Sequence, residues 1–98
     1  MPKQSNQADR LPPQNIEAEQ SVLGCLMLDK YAITKVADVL KPGDFYRPVH
    51  NTIFDAMLEL YEISEPLDLL SLNNRLEELG QLENIGGPAY LSDLVNRV

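Results

Sequence analysis

Apolar residues recur along this chain at helical spacing and divide it into five stretches. In the clearest stretch Ile53, Met57 and Leu60 repeat at intervals of three and four, while Asp55 and Glu59 occupy the opposite side. Such a stripe is typical of an amphipathic helix that packs on one face. No part of the chain alternates with period two for long enough to predict a strand. The pattern predicts an all-α fold, a compact bundle of about five to six short helices.

Capping side chains and prolines predict where these helices begin. They precede all five stretches: Asn15, Asp29, Pro48, Asp68 or Ser71, and Pro88. The predicted second helix repeats apolar residues from Ile33 to Leu40 and stops at Pro42, and Gly80 suits the left-handed end of the fourth. Between the second and third helices, residues 44–47 predict a short connection with one helical turn around Phe45 and Tyr46.

The first predicted helix carries apolar residues on more than one face, which places it centrally in the bundle. It also contains Gly24, which destabilises a helix interior by about 1 kcal/mol relative to Ala unless another backbone needs the space. Gly24 therefore predicts a close helix crossing. Cys25 lies in the same apolar run, where a free cysteine is expected to behave as a small hydrophobic residue.

The chain divides into two segments by composition. Pro2, Pro12 and Pro13 lie among Gln, Ser and Asn, a mixture too poor in apolar side chains to fold. Residues 1–14 are therefore predicted to be a disordered N-terminal tail, and residues 15–98 the helical domain. With 98 residues and 44% hydrophobic composition, the chain suits one small core.

The charge balance argues against direct binding to nucleic acid. The chain has 15 acidic and 8 basic residues, a formal net charge of -7. Its basic residues are scattered singly, whereas a nucleic-acid groove needs clustered Lys and Arg. The carboxylates are also spread over every predicted helix, which argues against an acidic mimic of DNA. A protein partner is the expectation that remains.

Cys25 is the only cysteine, so the chain can form no internal disulfide. The longest apolar run, Cys25 to Leu28, is far too short to span a membrane. The first residues lack the apolar region of a signal peptide. The sequence therefore predicts a cytoplasmic protein with no membrane contact.

No catalytic, cofactor-binding or metal-binding residue is predicted. The chain lacks a phosphate-binding loop and has one histidine, His50, with no His or Cys partner for a metal. His50 could be a general base oriented by Asp44 or Asp55, but a polar residue hydrogen-bonding locally in the third helix is the favoured interpretation. The carboxylate pairs are expected on solvent faces: Glu17/Glu19, Glu59/Glu62 and Glu77/Glu78.

Two short segments are candidate partner surfaces. Phe45, Tyr46 and Arg47 belong to the residue types enriched in binding hot spots. The alternative is a core plug between two helices, which the pattern favours for Phe45 and leaves even for Tyr46. Tyr90 and Leu94 on the fifth helix form the second candidate, although helical spacing makes such residues core more often than interface.

Several motifs in order resemble the opening of bacterial replicative helicases of the DnaB family. Leu11-Pro12-Pro13-Gln14-Asn15-Ile16-Glu17-Ala18-Glu19 runs into Ser21-Val22-Leu23-Gly24. Asp44-Phe45-Tyr46, His50 and Ile53-Phe54 follow, then Pro66-Leu67-Asp68, Leu72, Leu76, Gly80, Leu82 and Glu83. Gly86-Gly87 with Tyr90-Leu91 completes the likeness, which spans residues 11–98. Asn51 stands where the family more often has a basic residue.

The resemblance implies an N-terminal head domain that forms a collar on a hexameric ATPase ring and docks primase. It also implies self-association as a dimer or hexamer, with a helicase loader among the partners of the whole enzyme. A helical hairpin, a linker and a RecA-like motor domain would follow residue 98, and the motor would use ATP and magnesium. The alternative is a free-standing helical adaptor or self-association module unrelated to a motor.

Overall fold

The structure, a computed structural model, describes residues 15–98. These residues form five α-helices and one 3₁₀ turn: α1 (Ile16–Leu28), α2 (Ala32–Val36), the turn (Pro42–Asp44), α3 (Pro48–Glu62), α4 (Leu69–Glu78) and α5 (Gly87–Asn96). No strand occurs in this part of the chain, so the all-α prediction is confirmed. The predicted N-terminal tail lies outside the described residues.

The predicted caps of α1 and α4 are confirmed. The side-chain oxygen of Asn15 accepts the Ala18 N–H at 3.0 Å. Asp68 accepts the Ser71 N–H at 2.9 Å in the same way. Each cap satisfies one of the backbone donors that a helix start leaves without an intrahelical acceptor. Pro48 opens α3 as predicted.

The predicted extent of the second helix is wrong. Asp29 does not cap it, because its carboxylate accepts the N–H of Tyr31, two residues on, at 3.0 Å and closes a turn instead. The helix begins at Ala32 and spans only five residues. Leu40, expected in its last turn, is buried from the loop. The predicted helical turn around Phe45 also lies earlier, at the 3₁₀ turn.

Helices α3 and α4 end in the same left-handed geometry with different residues. Gly80 after α4 has φ 71°, as predicted, and Ser64 after α3 has φ 61°. At each end the left-handed residue donates its N–H to the carbonyl three positions earlier, at 3.1 Å for Ser64 and 3.0 Å for Gly80. The next N–H bonds the carbonyl five positions earlier, at 2.9 and 2.8 Å. Gly80 adopts this conformation without the steric strain that Ser64 carries.

Helix α1 lies between α5 and α3, and its closest approach is at Gly24. A Cβ atom placed on Gly24 would lie 2.2 Å from the backbone oxygen of Leu94. The predicted close helix crossing is therefore confirmed, with α5 as the crossing helix. Cys25, the neighbour of Gly24, was expected to behave as a small hydrophobic residue, but it is exposed. It points away from α5 because adjacent helical residues face different directions.

The core is almost entirely aliphatic and aromatic. Seventeen hydrophobic side chains of the described residues are buried, and they come from every helix and from the connections. Within residues 15–98 the buried polar side chains are Glu19, Gln20 and His50. A buried polar group is unfavourable unless it is hydrogen-bonded. The contacts of these three residues therefore identify the most informative site in the molecule.

Candidate functional site

Three helices meet at one buried hydrogen-bonded chain of side chains. His50, in the first turn of α3, places Nδ1 2.7 Å from Glu19 Oε1 on α1. Its other ring nitrogen, Nε2, lies 2.6 Å from the hydroxyl oxygen of Tyr90 on α5. Glu19 and His50 are both 0% exposed. We call Glu19, His50 and Tyr90 the His50 cluster.

The Glu19 carboxylate accepts several hydrogen bonds. Besides His50, it accepts the backbone N–H of Tyr46, and that of Arg47 at 3.4 Å. A carboxylate oxygen that faces an imidazole nitrogen takes the acceptor role, so Nδ1 of His50 carries a hydrogen. Glu19 thus ties α1 both to α3 and to the segment that precedes α3.

The Tyr90 hydroxyl is the junction at the other side of the imidazole. Its oxygen faces Gln20 Nε2 at 3.2 Å and Arg47 Nη1 at 3.5 Å. Both nitrogens are donors, so the oxygen accepts from them and gives its own hydrogen to Nε2 of His50. The arrangement describes a neutral imidazole with its hydrogen on Nδ1.

The electrostatics of the site agree with a neutral imidazole. Burial is the largest influence and lowers the pKa of His50 below 6.5. The hydrogen bond and the charge of Glu19 oppose this shift, and the charge of Arg47 adds to it. The net direction is downward because a buried imidazolium loses its hydration.

Two predictions about these residues are wrong. His50 does not bond locally or use Asp44 or Asp55; its partners Glu19 and Tyr90 are 31 and 40 positions away. Glu19 was expected on a solvent face with Glu17, but only Glu17 is exposed. Since His50 has no exposed surface, a substrate does not reach its imidazole in this conformation. The cluster joins three helices, and its Glu19 and His50 side chains are shielded from solvent.

Helical spacing carried a signal for this burial. Glu19 stands four and seven positions before Leu23 and Leu26, which are both buried. His50 likewise precedes buried Ile53 and Phe54 by three and four positions. Residues at these intervals share one helix face. Both polar side chains could therefore have been assigned to the core stripe from sequence.

The predicted partner residues separate into core and surface. Phe45 is 3% exposed and packs against Phe54 with ring centroids 5.3 Å apart, so the core-plug alternative holds for it. Leu94 is 0% exposed because it lies at the crossing of α5 with α1. Neither offers a surface to a partner in this conformation, so the core alternative, which the pattern favoured for both residues, holds. Tyr46 is 54% exposed.

Hydrogen bonds from α1 and α3 hold the backbone of the segment from Phe45 to Arg47, which we call the 45–47 segment. Asn51 accepts the Phe45 N–H and donates to the Phe45 carbonyl, both at 3.0 Å. Glu19 accepts the next two backbone N–H groups. The guanidinium of Arg47 lies 5.8 Å from the centre of the Tyr90 ring, a cation–π geometry. Arg47 and Tyr90 therefore contact each other, and Tyr46 precedes Arg47 on a backbone held by hydrogen bonds; we call these three partly exposed residues the Tyr46 face.

A second polar cluster joins α3 to α4 at the surface. Arg75 on α4 donates from Nε to Glu59 at 2.8 Å and from Nη1 to Glu78 at 3.1 Å. Its side chain is 32% exposed, and those of Glu59 and Glu78 are 38% and 67% exposed. We call Arg75, Glu59 and Glu78 the Arg75 cluster. The cluster is partly exposed, and Glu78 is its most exposed member; the charge pattern predicted a solvent face for Glu59 and Glu78.

Residues 15–98 contain no grouping of His, Cys, Asp and Glu that could hold a metal ion. Across the same residues, no helix combines the length and the apolar character that crossing a membrane requires.

Comparison with known proteins gives a consistent result. Residues 11–98 match the model of a family described as the DnaB-like helicase N-terminal domain. The chain is 50% identical over 90 residues to the replicative DNA helicase DnaC of Bacillus subtilis, and 47% identical over 91 residues to the replicative DNA helicase DnaB of Geobacillus stearothermophilus. These alignments cover 92% and 93% of the chain, which spans about one fifth (20%) of the length of either relative.

A solved structure is similar as well. The crystal structure of the N-terminal domain of DnaB helicase from Mycobacterium tuberculosis aligns with a TM-score of 0.85 at 48% sequence identity. The alignment covers 90% of this chain and 61% of that one. The likeness therefore extends over almost all of the helices described above.

Proposed function

The chain belongs to the DnaB-like helicase N-terminal domain family, and we propose that its function is to assemble and dock replication proteins. The observation that carries this proposal is the family match over residues 11–98. The arrangement of the described residues supports it. Their interior is filled by side chains, and His50, a potential acid or base, has no solvent access. What remains for function is the outer surface.

In this proposal the parent protein is a hexameric replicative helicase. Six such domains form a collar beside its motor, and the collar docks primase. Docking at several equivalent sites raises the effective local concentration of primase near the emerging strand, without any new contact chemistry. The helicase loader is a further partner of the whole enzyme. ATP and magnesium act in a motor domain outside this chain, and the protein works in the cytoplasm.

The Tyr46 face is the docking contact that the geometry supports best. Tyr and Arg are enriched in binding hot spots. Glu19 and Asn51 fix the backbone that carries Tyr46 and Arg47, so little conformational entropy is lost when a partner binds. The net charge of -7 disfavours docking onto nucleic acid and leaves a protein as the occupant.

Light scattering with purified bacterial primase tests the proposal. We would compare the 98-residue chain with a version extended past residue 98 through the following helical segment of the relatives. The proposal expects the extended protein to self-associate and to form a larger species with primase. An extended protein that stays monomeric and ignores primase would contradict it.

A matched pair of variants tests the docking contact. Tyr46→Ala removes an aromatic ring from the Tyr46 face, and Tyr31→Ala removes one that is 66% exposed before α2. In the extended protein, Tyr46→Ala is expected to weaken primase binding by at least about tenfold, as an anchor residue would. Tyr31→Ala should leave binding unchanged. Equal losses of primase binding in both variants would contradict the proposal that primase contacts the Tyr46 face.

The second candidate is a free-standing helical adaptor unrelated to a motor. The exposed Tyr46 on an all-helical scaffold would suit it equally well. A phosphate-binding loop encoded downstream of residue 98 would eliminate this candidate. A stop codon shortly after that position would favour it.

A further inference from the structure

Hydrogen-bond capacity is fully used at the Tyr90 hydroxyl. A phenol oxygen donates one hydrogen bond and accepts two. Here Gln20 and Arg47 donate to it, and it donates to Nε2 of His50. This balance requires that Nε2 carries no hydrogen. The complete set of three hydrogen bonds at Tyr90 therefore depends on an unprotonated Nε2 of His50.

We propose that His50 is a proton-operated latch, and that uptake of a proton at Nε2 releases α5 while the link between α1 and α3 stays closed. The new N–H at Nε2 would point at an oxygen that already accepts two hydrogen bonds. At the same time the Tyr90 hydroxyl hydrogen would lose its acceptor. At least one bond that holds Tyr90 must then break, and Tyr90 is the polar anchor of α5.

The opposite side of the imidazole responds differently. Nδ1 of His50 donates to Glu19 in both protonation states, at 2.7 Å in this structure. The Glu19 carboxylate already carries a charge, and protonation of His50 adds the opposite charge on the donor, which strengthens that hydrogen bond. The proton is thus expected to strengthen the contact with α1 and to weaken the hydrogen bonds that hold Tyr90 of α5. The response is directional, unlike a general loss of stability in acid.

The groups that face His50 determine the pH range of the latch. Glu19 faces it from α1, Tyr90 from α5, and Arg47 from the 45–47 segment. Burial and Arg47 lower the pKa of His50, Glu19 raises it, and the net direction is downward from 6.5. For a lowered folded pKa, the contribution to stability is fully present above the pKa of the unfolded chain. It is lost as pH falls through the folded pKa.

The first measurement exploits the fact that His50 is the only histidine in the chain. Long-range proton–nitrogen NMR spectra of the 98-residue protein report the tautomer of this single imidazole without assignment. At pH 8 the expected tautomer has its hydrogen on Nδ1, and titration should give a pKa below 6.5. A neutral imidazole with the hydrogen on Nε2 would overturn the proposal.

Amide hydrogen exchange, corrected for intrinsic rates, measures the latch itself. As pH falls through the His50 titration, protection in α5 should fall by clearly more than protection in α1. The expected loss in α5 approaches about tenfold for each unit by which the folded pKa lies below the unfolded one. Constant protection in α5, or a parallel loss in α1 and α5, would overturn the proposal.

Tyr90→Phe is the matched variant, because it removes the hydroxyl and keeps the ring. Neutral His50 then loses the donor at Nε2, so the pKa of His50 should rise above the wild-type value. Protection in α5 should be lower at pH 8 and should no longer follow the His50 titration. An unchanged pKa, or α5 protection that still follows the titration, would contradict the latch. If Tyr90→Phe does not fold, the tautomer spectra and the hydrogen exchange of the wild-type protein test the latch on their own.

Discussion

The His50 cluster and the Arg75 cluster are built alike and differ in their surroundings. Each places one nitrogen-bearing side chain between two partners, at 2.7 and 2.6 Å in the first and 2.8 and 3.1 Å in the second. Glu19 and His50 are 0% exposed, whereas the Arg75 side chain is 32% exposed. The hydrogen-bond lengths alone do not reveal which cluster holds the helices together.

Water explains the difference. When an exposed partner is removed, water replaces it, and exposed ion pairs contribute little to stability. When a buried partner is removed, the remaining groups stay unsatisfied in a medium of low polarity. The pKa directions agree: the hydrogen bonds that Arg75 donates to Glu59 and Glu78 raise the pKa of Arg75, while burial lowers that of His50. The Arg75 side chain therefore stays protonated and charged, whereas the lowered pKa of His50 favours its neutral form.

Glu19→Ala is expected to have the largest effect. It leaves the His50 Nδ1–H and two backbone N–H groups without an acceptor and opens a cavity beside α3. The expected loss is about 3–5 kcal/mol in the free energy of unfolding, measured by urea denaturation. Glu17→Ala on the same helix is the control and should change stability by less than about 1 kcal/mol. Similar losses for both variants would contradict the role assigned to Glu19.

Gly24→Ala tests the seam between α1 and α5 next to the His50 cluster. The added Cβ would lie 2.2 Å from the backbone oxygen of Leu94, so the two helices must move apart. We expect thermal unfolding to show a loss of about 1–3 kcal/mol. Gly43→Ala, where the added Cβ has open space, should stay within about 0.5 kcal/mol of wild type. A stable Gly24→Ala protein would mean that the crossing is looser than described.

Ser64→Gly, at the exposed C-terminal end of α3, should stabilise the protein. Ser64 adopts φ 61°, a strained conformation for a residue with a Cβ atom, and glycine removes that strain. The expected gain in the free energy of unfolding is about 0.5–1 kcal/mol by urea denaturation. It is limited to this size because glycine also increases the conformational freedom of the unfolded chain. The converse change, Gly80→Ser after α4, should destabilise. A loss of stability in Ser64→Gly would contradict this account of the α3 end.

Arg75→Gln should have the smallest effect of the four substitutions. Its partners Glu59 and Glu78 remain solvated when the guanidinium is removed. The midpoint of urea denaturation should move less than in Ser64→Gly, and the difference from wild type should vanish at high salt because exposed charges are screened. A large shift that persists at high salt would place the Arg75 cluster in the same class as the His50 cluster.

Features that depend on neighbouring residues were predictable from the sequence. The five helices, the caps at Asn15 and Asp68 and the left-handed end at Gly80 all follow from local propensities. Gly24 predicted a close crossing because glycine is unfavourable in a helix without such a reason. Only the identity of the crossing helix had to come from the structure.

Features that depend on distant contacts were not predictable in the same way. The partners of His50 are 31 and 40 positions away, and no local pattern shows which helices bring them together. The burial of Glu19 was visible in its spacing from Leu23, but its acidic side chain in a first helical turn suggested a solvated role instead. The 45–47 segment was identified as a candidate, while its division into buried Phe45 and exposed Tyr46 required packing information.

The central claim is that the buried His50 cluster couples helices α1, α3 and α5, whereas the exposed Arg75 cluster does not couple α3 to α4. Two double-mutant cycles test this claim most directly. One cycle combines Glu19→Gln with Tyr90→Phe, the partners of the two His50 nitrogens. The other combines Glu59→Gln with Glu78→Gln, the partners of the Arg75 guanidinium. The measured quantity is the non-additivity of the unfolding free energies.

The account predicts a coupling of at least about 0.5 kcal/mol between Glu19 and Tyr90, because both act through one buried imidazole. It predicts additivity within experimental error between Glu59 and Glu78, where water separates the two effects. Additive losses in the first cycle, or equal coupling in both cycles, would contradict it.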